Sequence, residues 1–269
     1  MDAWIVTELA LLGSCTGFLA GLLGIGGGMV LTPFLTIILA GTIIPDSCAV
    51  HTALATSLAT ILFTSASSVR AHHRHGAVLW NIIFAATPGI LIGSLVGAQV
   101  SGALSNFTIS LLFGCFVMFS ALRMFFGKKK SDNKPLPGPF GIMLGGGFVG
   151  SVASLVGAGG GFIAVPLMSS HGISIHKAVG TSAAVGFPVA FAGTIGYIIS
   201  GWSVPNMPEF CLGYLYLPAL FCVASCSILT APLGARTAHS IDTKPLKRIF
   251  ASLLFCLSAY MLWRAWNAF

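Results

Sequence analysis

Two short glycine-rich stretches decide how the chain folds: Gly24-Ile25-Gly26-Gly27-Gly28 and its second copy, Gly157-Ala158-Gly159-Gly160-Gly161. Each lies inside a long apolar run, and a proline, Pro33 or Pro166, follows five residues after its last glycine. Matched positions of the two copies are 133 residues apart. A glycine destabilises a helix interior by roughly 1 kcal/mol relative to alanine. Because freed backbone groups in hydrocarbon need protein or water partners, the pattern predicts two helices that are broken inside a membrane.

The composition is that of an integral membrane protein. Apolar residues make up 56% of the chain and charged residues 7%, whereas a soluble domain carries roughly 25% charged residues. So few charges could not cover a soluble surface, and several apolar runs reach the ~20 residues that cross a bilayer. The net charge of +7 does not indicate nucleic-acid binding, because the basic residues lie in short loops between apolar runs.

The apolar runs divide the chain into two repeats with the same order of segments. The first repeat covers residues 1–126, a cytoplasmic linker rich in lysine and proline covers 127–139, and the second repeat covers 140–269. Each repeat is predicted to contain one glycine-broken segment and three ordinary spanning helices, in an all-α polytopic fold. The role of the broken segments stays open, because each of them either re-enters the bilayer as a hairpin or crosses it with both arms.

A second sequence match follows each broken segment. Ala53-Leu54-Ala55-Thr56-Ser57 corresponds to Ala178-Val179-Gly180-Thr181-Ser182 at an offset of 125 residues, which Gly76 and Gly201 share. A Thr-Ser pair therefore lies in the span that comes after each break. The ordinary spans are predicted at about 48–69, 78–99, 178–200, 212–233 and 249–266, with a sixth that ends near 123.

Loop charge predicts the topology, since lysine and arginine favour the cytoplasmic side of a membrane. The cytoplasmic loops are then 70–76, the linker, the loop with Lys177 and the loop 236–248. The outer segments are the loops with Asp46 and Glu209, and the end of the last span with Arg264. The loop at 70–76 is basic and its repeat at 201–209 is not, so the two halves are predicted to be inverted. Inverted repeats are typical of transporters that bind near the midplane at discontinuous helices.

The glycine clusters predict an anion site. Helices that begin near Gly28 and Gly161 present bare N–H donors and a partial positive charge inside the membrane. The interiors of the ordinary spans contain no lysine, arginine or carboxylate, which favours an anion over an organic cation. The predicted substrate-binding residues are Gly26, Gly27, Gly28, Thr56, Ser57, Gly159, Gly160, Gly161, Thr181 and Ser182.

Other interpretations stay open for several residues. The glycines alternatively serve only close packing, and His51 either caps a helix or takes a proton or anion role. His72, His73 and His75 are expected to be solvated cytoplasmic anchors rather than metal ligands. We expect no metal and no cofactor, and no Gly-Lys-Ser/Thr of a P-loop follows the glycines. The expected partners are a small anion and the lipid bilayer, with a homodimer as one alternative for the assembly.

The duplicated motif resembles the TauE/SafE sulfite exporter family. The resemblance rests on the segments 17–28 and 157–161, each with its downstream proline, and on the two Ala-x-Ala/Gly-Thr-Ser segments; it covers essentially the whole chain. It implies a multi-pass permease of the bacterial inner membrane for a small sulfur-containing anion such as sulfite or a sulfonate. We expect transport by alternating access, and no enzyme, since no catalytic pair is apparent inside the spans. The alternatives are a passive anion channel and a permease for a carboxylate without sulfur. The second copy has Ser154 where the first has Gly21, so the halves are not equivalent.

Overall fold

A computed structural model describes residues 2–24, 26–126, 135–205, 207–240 and 244–267 of the chain. These residues form ten α-helices and one β-hairpin. The helices are α1 (Ala3–Leu23), α2 (Gly28–Leu39), α3 (Ala49–Arg74), α4 (Trp80–Ala103), α5 (Asn106–Phe126), α6 (Pro139–Leu155), α7 (Gly161–Ser170), α8 (Ile175–Gly201), α9 (Leu217–Ser240) and α10 (Lys244–Asn267). The hairpin strands, β1 (Cys211–Leu212) and β2 (Leu215–Tyr216), lie between α8 and α9.

Helix length separates the spanning helices from the short arms. Among the described residues, seven helices are long and apolar enough to cross a membrane, namely α1, α3, α4, α5, α8, α9 and α10. The short helix α2 has 12 residues and α7 has 10. A 12-residue helix is about 18 Å long, well short of the ~30 Å of a hydrocarbon core. The chain is therefore an all-α multi-pass membrane protein, as predicted, and the short arms cannot cross a bilayer by themselves.

The order of helices repeats along the chain. Helices α1 to α5 and helices α6 to α10 follow the same sequence: an approach arm, a glycine break, a short arm and three longer helices. The predicted linker 127–139 lies largely outside the described residues, which resume at Pro135. The orientation of the two halves relative to the bilayer stays a prediction.

The helices pack mainly across the two halves. Helix α1 lies along α9, and α4 lies along α6. A β-carbon at Gly17 would lie 2.5 Å from Cα of Ser227, and one at Gly93 would meet the carbonyl oxygen of Gly147. Small residues of this kind let helix backbones approach closely in a membrane. Helices α3 and α8 contact each other and are the most buried of the spanning helices.

Two helix boundaries differ from the prediction. Helix α3 extends to Arg74, so part of the predicted loop 70–76 is helical. Helix α9 begins at Leu217 rather than near 212, because residues 211–216 form the β-hairpin. Gly213 makes the turn of this hairpin with φ of 58°, a backbone conformation that glycine adopts without steric cost.

An ion pair joins two segments that the sequence predicts to lie outside. The Arg264 guanidinium, at the end of α10, donates to Oδ1 of Asp46 at 2.9 Å. Asn106, at the start of α5, donates from its amide to the carbonyl oxygen of Asp46 at 2.6 Å. These three segments therefore share one end of the helical bundle, which is the end opposite the basic C-terminus of α3.

Candidate functional site

The two glycine breaks touch each other inside the bundle. A β-carbon at Gly26 would lie 2.9 Å from Cα of Gly159, and one at Gly28 would meet the carbonyl oxygen of Gly157. All four of these glycines are buried or partly buried. Glycine therefore allows two backbones to meet where any side chain would separate them.

The residues that precede the short arms also need glycine for their conformation. Gly27 and Gly160 are the N-caps of α2 and α7, with φ of 73° and 74°. Gly26 has φ of 78° in the first break. A side chain is strained in this left-handed region, whereas glycine enters it freely. The breaks are thus conformationally specified, in addition to being closely packed.

Two buried serines connect each break to the opposite half. Ser57 donates from Oγ to the carbonyl oxygen of Gly157 at 3.0 Å. Ser182, its sequence match, donates to the carbonyl oxygen of Gly24 at 2.7 Å. Because both acceptors lie in a break that belongs to the other half, each half supports the break of its counterpart.

Two buried threonines make a second matched pair of contacts. Thr56 accepts a hydrogen bond at Oγ1 from the backbone N–H of Tyr216 at 3.2 Å. Thr181 accepts one from the N–H of Leu79 at 3.0 Å. Tyr216 and Leu79 immediately precede α9 and α4. These hydroxyls therefore fix where two spanning helices begin, and they satisfy N–H groups that no intrahelical acceptor reaches.

His72 and Tyr197 form a third matched pair. The Nε2 atom of His72 lies 2.9 Å from the carbonyl oxygen of Gly21 in the last turn of α1. Since a carbonyl oxygen only accepts, the hydrogen of this bond belongs to Nε2. The hydroxyl of Tyr197, which is 125 residues further on, lies 3.2 Å from the carbonyl oxygen of Ser154 and 2.7 Å from Oγ of Ser101. Ser154 occupies the second-copy position of Gly21.

The expectation that His72 is a solvated anchor is wrong. Its side chain is 0% exposed, because α3 continues through residue 74 and turns this position toward α1. His73 and His75 are exposed.

His51 makes the kind of contact that its capping interpretation predicts. Its Nε2 atom lies 3.0 Å from the carbonyl oxygen of Ser101, in the last turn of α4. The imidazole also stacks on Tyr214, with ring centroids 5.0 Å apart. His51 thus closes the end of a neighbouring helix at the opposite end of α3 from His72.

A small pocket, with a cavity volume of about 10 Å³, lies beside the first glycine break. Its lining residues come from α1, the break, α3 and α8: Ala20, Gly26, Thr64, Ser65, Ser68, Ser182, Ala183 and Gly186. Of the ten predicted binding residues, Gly26 and Ser182 line this pocket. Gly28 and Gly159 lie at the contact between the breaks, Thr56, Ser57 and Thr181 make the supporting hydrogen bonds, and Gly27, Gly160 and Gly161 form the starts of the short arms.

Sequence reasoning missed Thr64, Ser65 and Ser68. A hydroxyl recurs at every fourth position of α3, at Thr52, Thr56, Thr60, Thr64 and Ser68. Residues four apart are neighbours on a helix surface, and all five side chains are at most 2% exposed. Thr64 and Ser68, the last two members of this series, line the pocket, so a series of hydroxyls in a spanning helix is the sequence signal for this wall.

The hydroxyl groups that line the pocket differ in the acceptors of their hydrogen bonds. Ser65, Ser182 and Thr64 lie 3.2, 2.7 and 3.0 Å from the backbone carbonyl oxygens to which they donate. The Thr64 hydroxyl is also 2.7 Å from that of Ser227. Ser68 is 2% exposed, and its Oγ has no hydrogen-bond partner among the described residues. Ser68 therefore keeps a hydrogen that a molecule in the pocket can accept.

The region of the pocket is polar without being charged. Among the side chains that the structure describes, no lysine, arginine, aspartate or glutamate is buried. The described residues also contain no group of three or more His, Cys, Asp or Glu side chains that could hold a metal ion. Helix α2 begins two residues after Gly26, and its dipole provides a partial positive charge at this N-terminus. The arrangement suits a ligand held by hydroxyls and backbone dipoles.

Comparison with known proteins identifies the family. Residues 9–261 match the family described as "Sulfite exporter TauE/SafE". The chain belongs to this family. The resemblance read from the glycine motifs is thereby confirmed, and this TauE/SafE protein is a membrane transporter.

Its relatives include several proteins named as probable membrane transporters. One from Haemophilus influenzae is 36% identical over 253 residues, covering 93% of this chain and 96% of the relative. One from Methanocaldococcus jannaschii is 31% identical and covers 94% of each chain. One from Bacillus subtilis, YunE, is 27% identical, covering 95% of this chain and 96% of the relative. No solved structure matches the chain.

Proposed function

We propose that this TauE/SafE protein is a permease of the bacterial inner membrane that moves a small sulfur-containing anion, such as sulfite or a sulfonate, by alternating access. The observation that carries the proposal is the meeting of two glycine breaks beside a buried pocket lined with hydroxyls. A helix N-terminus next to such a pocket binds an anion through bare N–H groups and the helix dipole. Because no buried lysine or arginine pairs with the anion in the described region, release remains easy.

We propose that all ten predicted binding residues contribute to the anion site. Gly26 and Ser182 line the pocket in the present conformation. Gly28 and Gly159 lie at the contact between the breaks, and Ser57 bonds to the second break. The other predicted residues are the glycines at the starts of α2 and α7 and the two threonines that bond to the starts of α9 and α4. Alternating access requires this contact to rearrange, and the rearrangement brings the remaining residues to the anion.

The position of the pocket supports one specific state of the transport cycle. Thr64, Ser65 and Ser68 lie in the C-terminal part of α3, near Arg70 and Arg74. These arginines belong to the segment that loop charge predicts to be cytoplasmic. We therefore assign the present conformation to a state in which the site lies closer to the cytoplasmic side.

Uptake into proteoliposomes tests the proposed function. Purified protein is reconstituted, an anion gradient is imposed, and uptake of sulfite, a short sulfonate and a short dicarboxylate is measured over a range of concentrations. A permease for sulfur-containing anions gives saturable uptake of the first two. Uptake that rises linearly with concentration indicates a channel, and saturable uptake of the dicarboxylate only overturns the assignment to sulfur-containing anions.

Glycine substitutions then test the site. Gly27→Ala would place a β-carbon 2.9 Å from the carbonyl oxygen of Thr16, and Gly160→Ala would place one 2.9 Å from Cγ1 of Val149. Gly76→Ala is the matched control, because Gly76 also has a positive φ of 64° but has nothing within 4 Å of such an atom. We expect the first two variants to lose transport and the control to keep it. Folded Gly27→Ala and Gly160→Ala proteins that transport with wild-type affinity would move the site elsewhere.

A further inference from the structure

We propose that the anion site is asymmetric, with the Ser68 hydroxyl beside the first glycine break as a direct donor to the bound anion and with a glycine, Gly193, at the matched position beside the second break. This inference rests on the proposed function and names the donor within that site. The ligand class is a compact anion with several acceptor oxygens.

The first step concerns the Ser68 hydroxyl, whose hydrogen is available for donation. Buried polar side chains nearly always have a protein or water partner. Ser68 lines the pocket and is 2% exposed, yet its Oγ has no partner among the described residues. The other three hydroxyls of the pocket donate to backbone carbonyls. Ser68 is therefore the pocket hydroxyl that is free to bind an anion.

The second step is the comparison with the other half. The positions that match Thr64, Ser65 and Ser68 in α8, at the offset of 125 residues, are Val189, Ala190 and Gly193. None of these side chains has a hydroxyl, so the second break has no donors at the matched positions.

The third step is the space available. Ala183 and Gly186 line the pocket, whereas the matched positions in α3 are Leu58 and Ile61, both fully buried. A β-carbon at Gly193 would lie 2.9 Å from Cδ1 of Leu58, so the leucine fills the volume that its alanine match leaves open. The matched positions of α3 and α8 beside the second break therefore provide neither these hydroxyls nor these small side chains.

The pocket also limits the class of anion. Its walls away from Ser68 are formed by small side chains, Ala20 and Ala183, and by backbone at Gly26 and Gly186. The cavity between these walls measures about 10 Å³ in the present conformation, so it widens when an anion binds, and small walls of this kind favour a compact anion over one with a long apolar tail.

Ser68→Ala in the full-length protein tests the inference. Thermal stabilisation in detergent and uptake into proteoliposomes are measured with sulfite, ethanesulfonate and malonate. Loss of a hydrogen bond to a charged acceptor corresponds to a rise in KM of about 10-fold to 100-fold, for whichever anion the wild-type protein carries. Ser94→Ala is the matched control, because Ser94 on α4 is also fully buried without a partner among the described residues and does not line the pocket. Its KM is expected to stay unchanged.

The outcomes separate the inference from the function on which it rests. An unchanged KM for a sulfur-containing anion in Ser68→Ala overturns the inference and leaves the permease assignment in place. A wild-type protein that carries only malonate, with a raised KM in Ser68→Ala, keeps the inference and overturns the assignment to sulfur-containing anions. A wild-type protein that neither binds nor carries any of the three anions overturns both.

Further variants keep the test decisive if Ser68→Ala does not fold. Ser68→Cys preserves the side-chain shape and weakens the donor, so a several-fold rise in KM is expected. Ala183→Leu introduces the residue found at the matched position of the other half and fills the pocket, so loss of uptake is expected. Wild-type uptake in both variants overturns the inference.

Discussion

The two glycine breaks have the same supports and different surroundings. Each has a serine that bonds to the opposite break, a threonine that fixes the start of a helix, and a donor to the preceding arm. The matched pairs are Ser57 with Ser182, Thr56 with Thr181, and His72 with Tyr197. Thr64, Ser65 and Ser68 line a pocket beside the first break, whereas their matched positions beside the second break carry no hydroxyl. The duplicated motif thus marks a duplicated scaffold, and this set of pocket hydroxyls belongs to one copy.

The largest expected effect is an all-or-none difference in labelling. Loop charge places residues 70–76 and 201–209 on opposite sides of the membrane. Single cysteines at Ala71 and Ser203, in a background without the native cysteines, are expected to react with an impermeant reagent from opposite sides. Labelling of both positions from the same side contradicts the inverted repeat.

The contact between the breaks gives the next largest effect. Gly28→Ala would press a β-carbon against the carbonyl oxygen of Gly157 and place it 2.9 Å from Cα of Ala158. Overpacking of this kind costs about 1–3 kcal/mol, occasionally more, so we expect a large fall in the melting temperature in detergent. Gly145→Ala is the control, because a β-carbon there has nothing within 4 Å. Equal stability of the two variants would show that the breaks do not rely on this contact.

The serine pair tests whether the two supports are equivalent. Ser57→Ala and Ser182→Ala each remove a donor from a carbonyl in a buried break. A buried acceptor left without its partner costs about 1–3 kcal/mol. We expect similar losses of thermal stability in the two variants, measured in the same detergent. A loss in only one variant would mean that the two hydrogen bonds have matching geometry but contribute unequally to stability.

The smallest expected effect concerns a contact that is not duplicated. Asp46 pairs with Arg264, whereas His171 occupies the position that matches Asp46 at the offset of 125 residues. The aspartate side chain is 75% exposed, and exposed pairs contribute about 0–1 kcal/mol. Asp46→Asn should therefore change the melting temperature little, and less at high salt. A loss as large as that of the serine variants would give this end of the bundle an unexpected structural role.

Much of the fold could be predicted because glycine and charge act locally. Glycine disfavours a helix interior, and the sequence predicts the breaks at Gly26 and Gly159 for this reason. A third triplet, Gly145 to Gly147, lies within the continuous helix α6, so a triplet alone does not specify a break. The hairpin before α9 was missed, because a short apolar run such as Leu212 to Tyr216 fits a strand and a helix equally well. The sequence pattern does not show whether a glycine in such a run forms a turn between two strands or lies inside a helix.

The site could be predicted only in part, because the acceptor to which a hydroxyl donates its hydrogen bond depends on the groups packed around it. Ser57 and Ser182 were predicted as ligands, and in the structure they donate to carbonyls of the breaks. No pattern in the sequence states which hydroxyl keeps its hydrogen, as Ser68 does. His72 was assigned to solvent because it stands among arginines and histidines. One further turn of α3, which a basic composition does not exclude, buries it instead.

The packing of α1 against α9 has a consequence for biosynthesis. The glycine face of α1 meets backbone atoms of α9, a helix that begins about 200 residues later in the chain. Since ribosomes add about 5–20 residues per second, α1 waits roughly 10–40 s for its partner. During that interval, its small-residue face has to be shielded by lipid or by the insertion machinery. The first half of this transporter therefore completes its own fold only when the second half has been made.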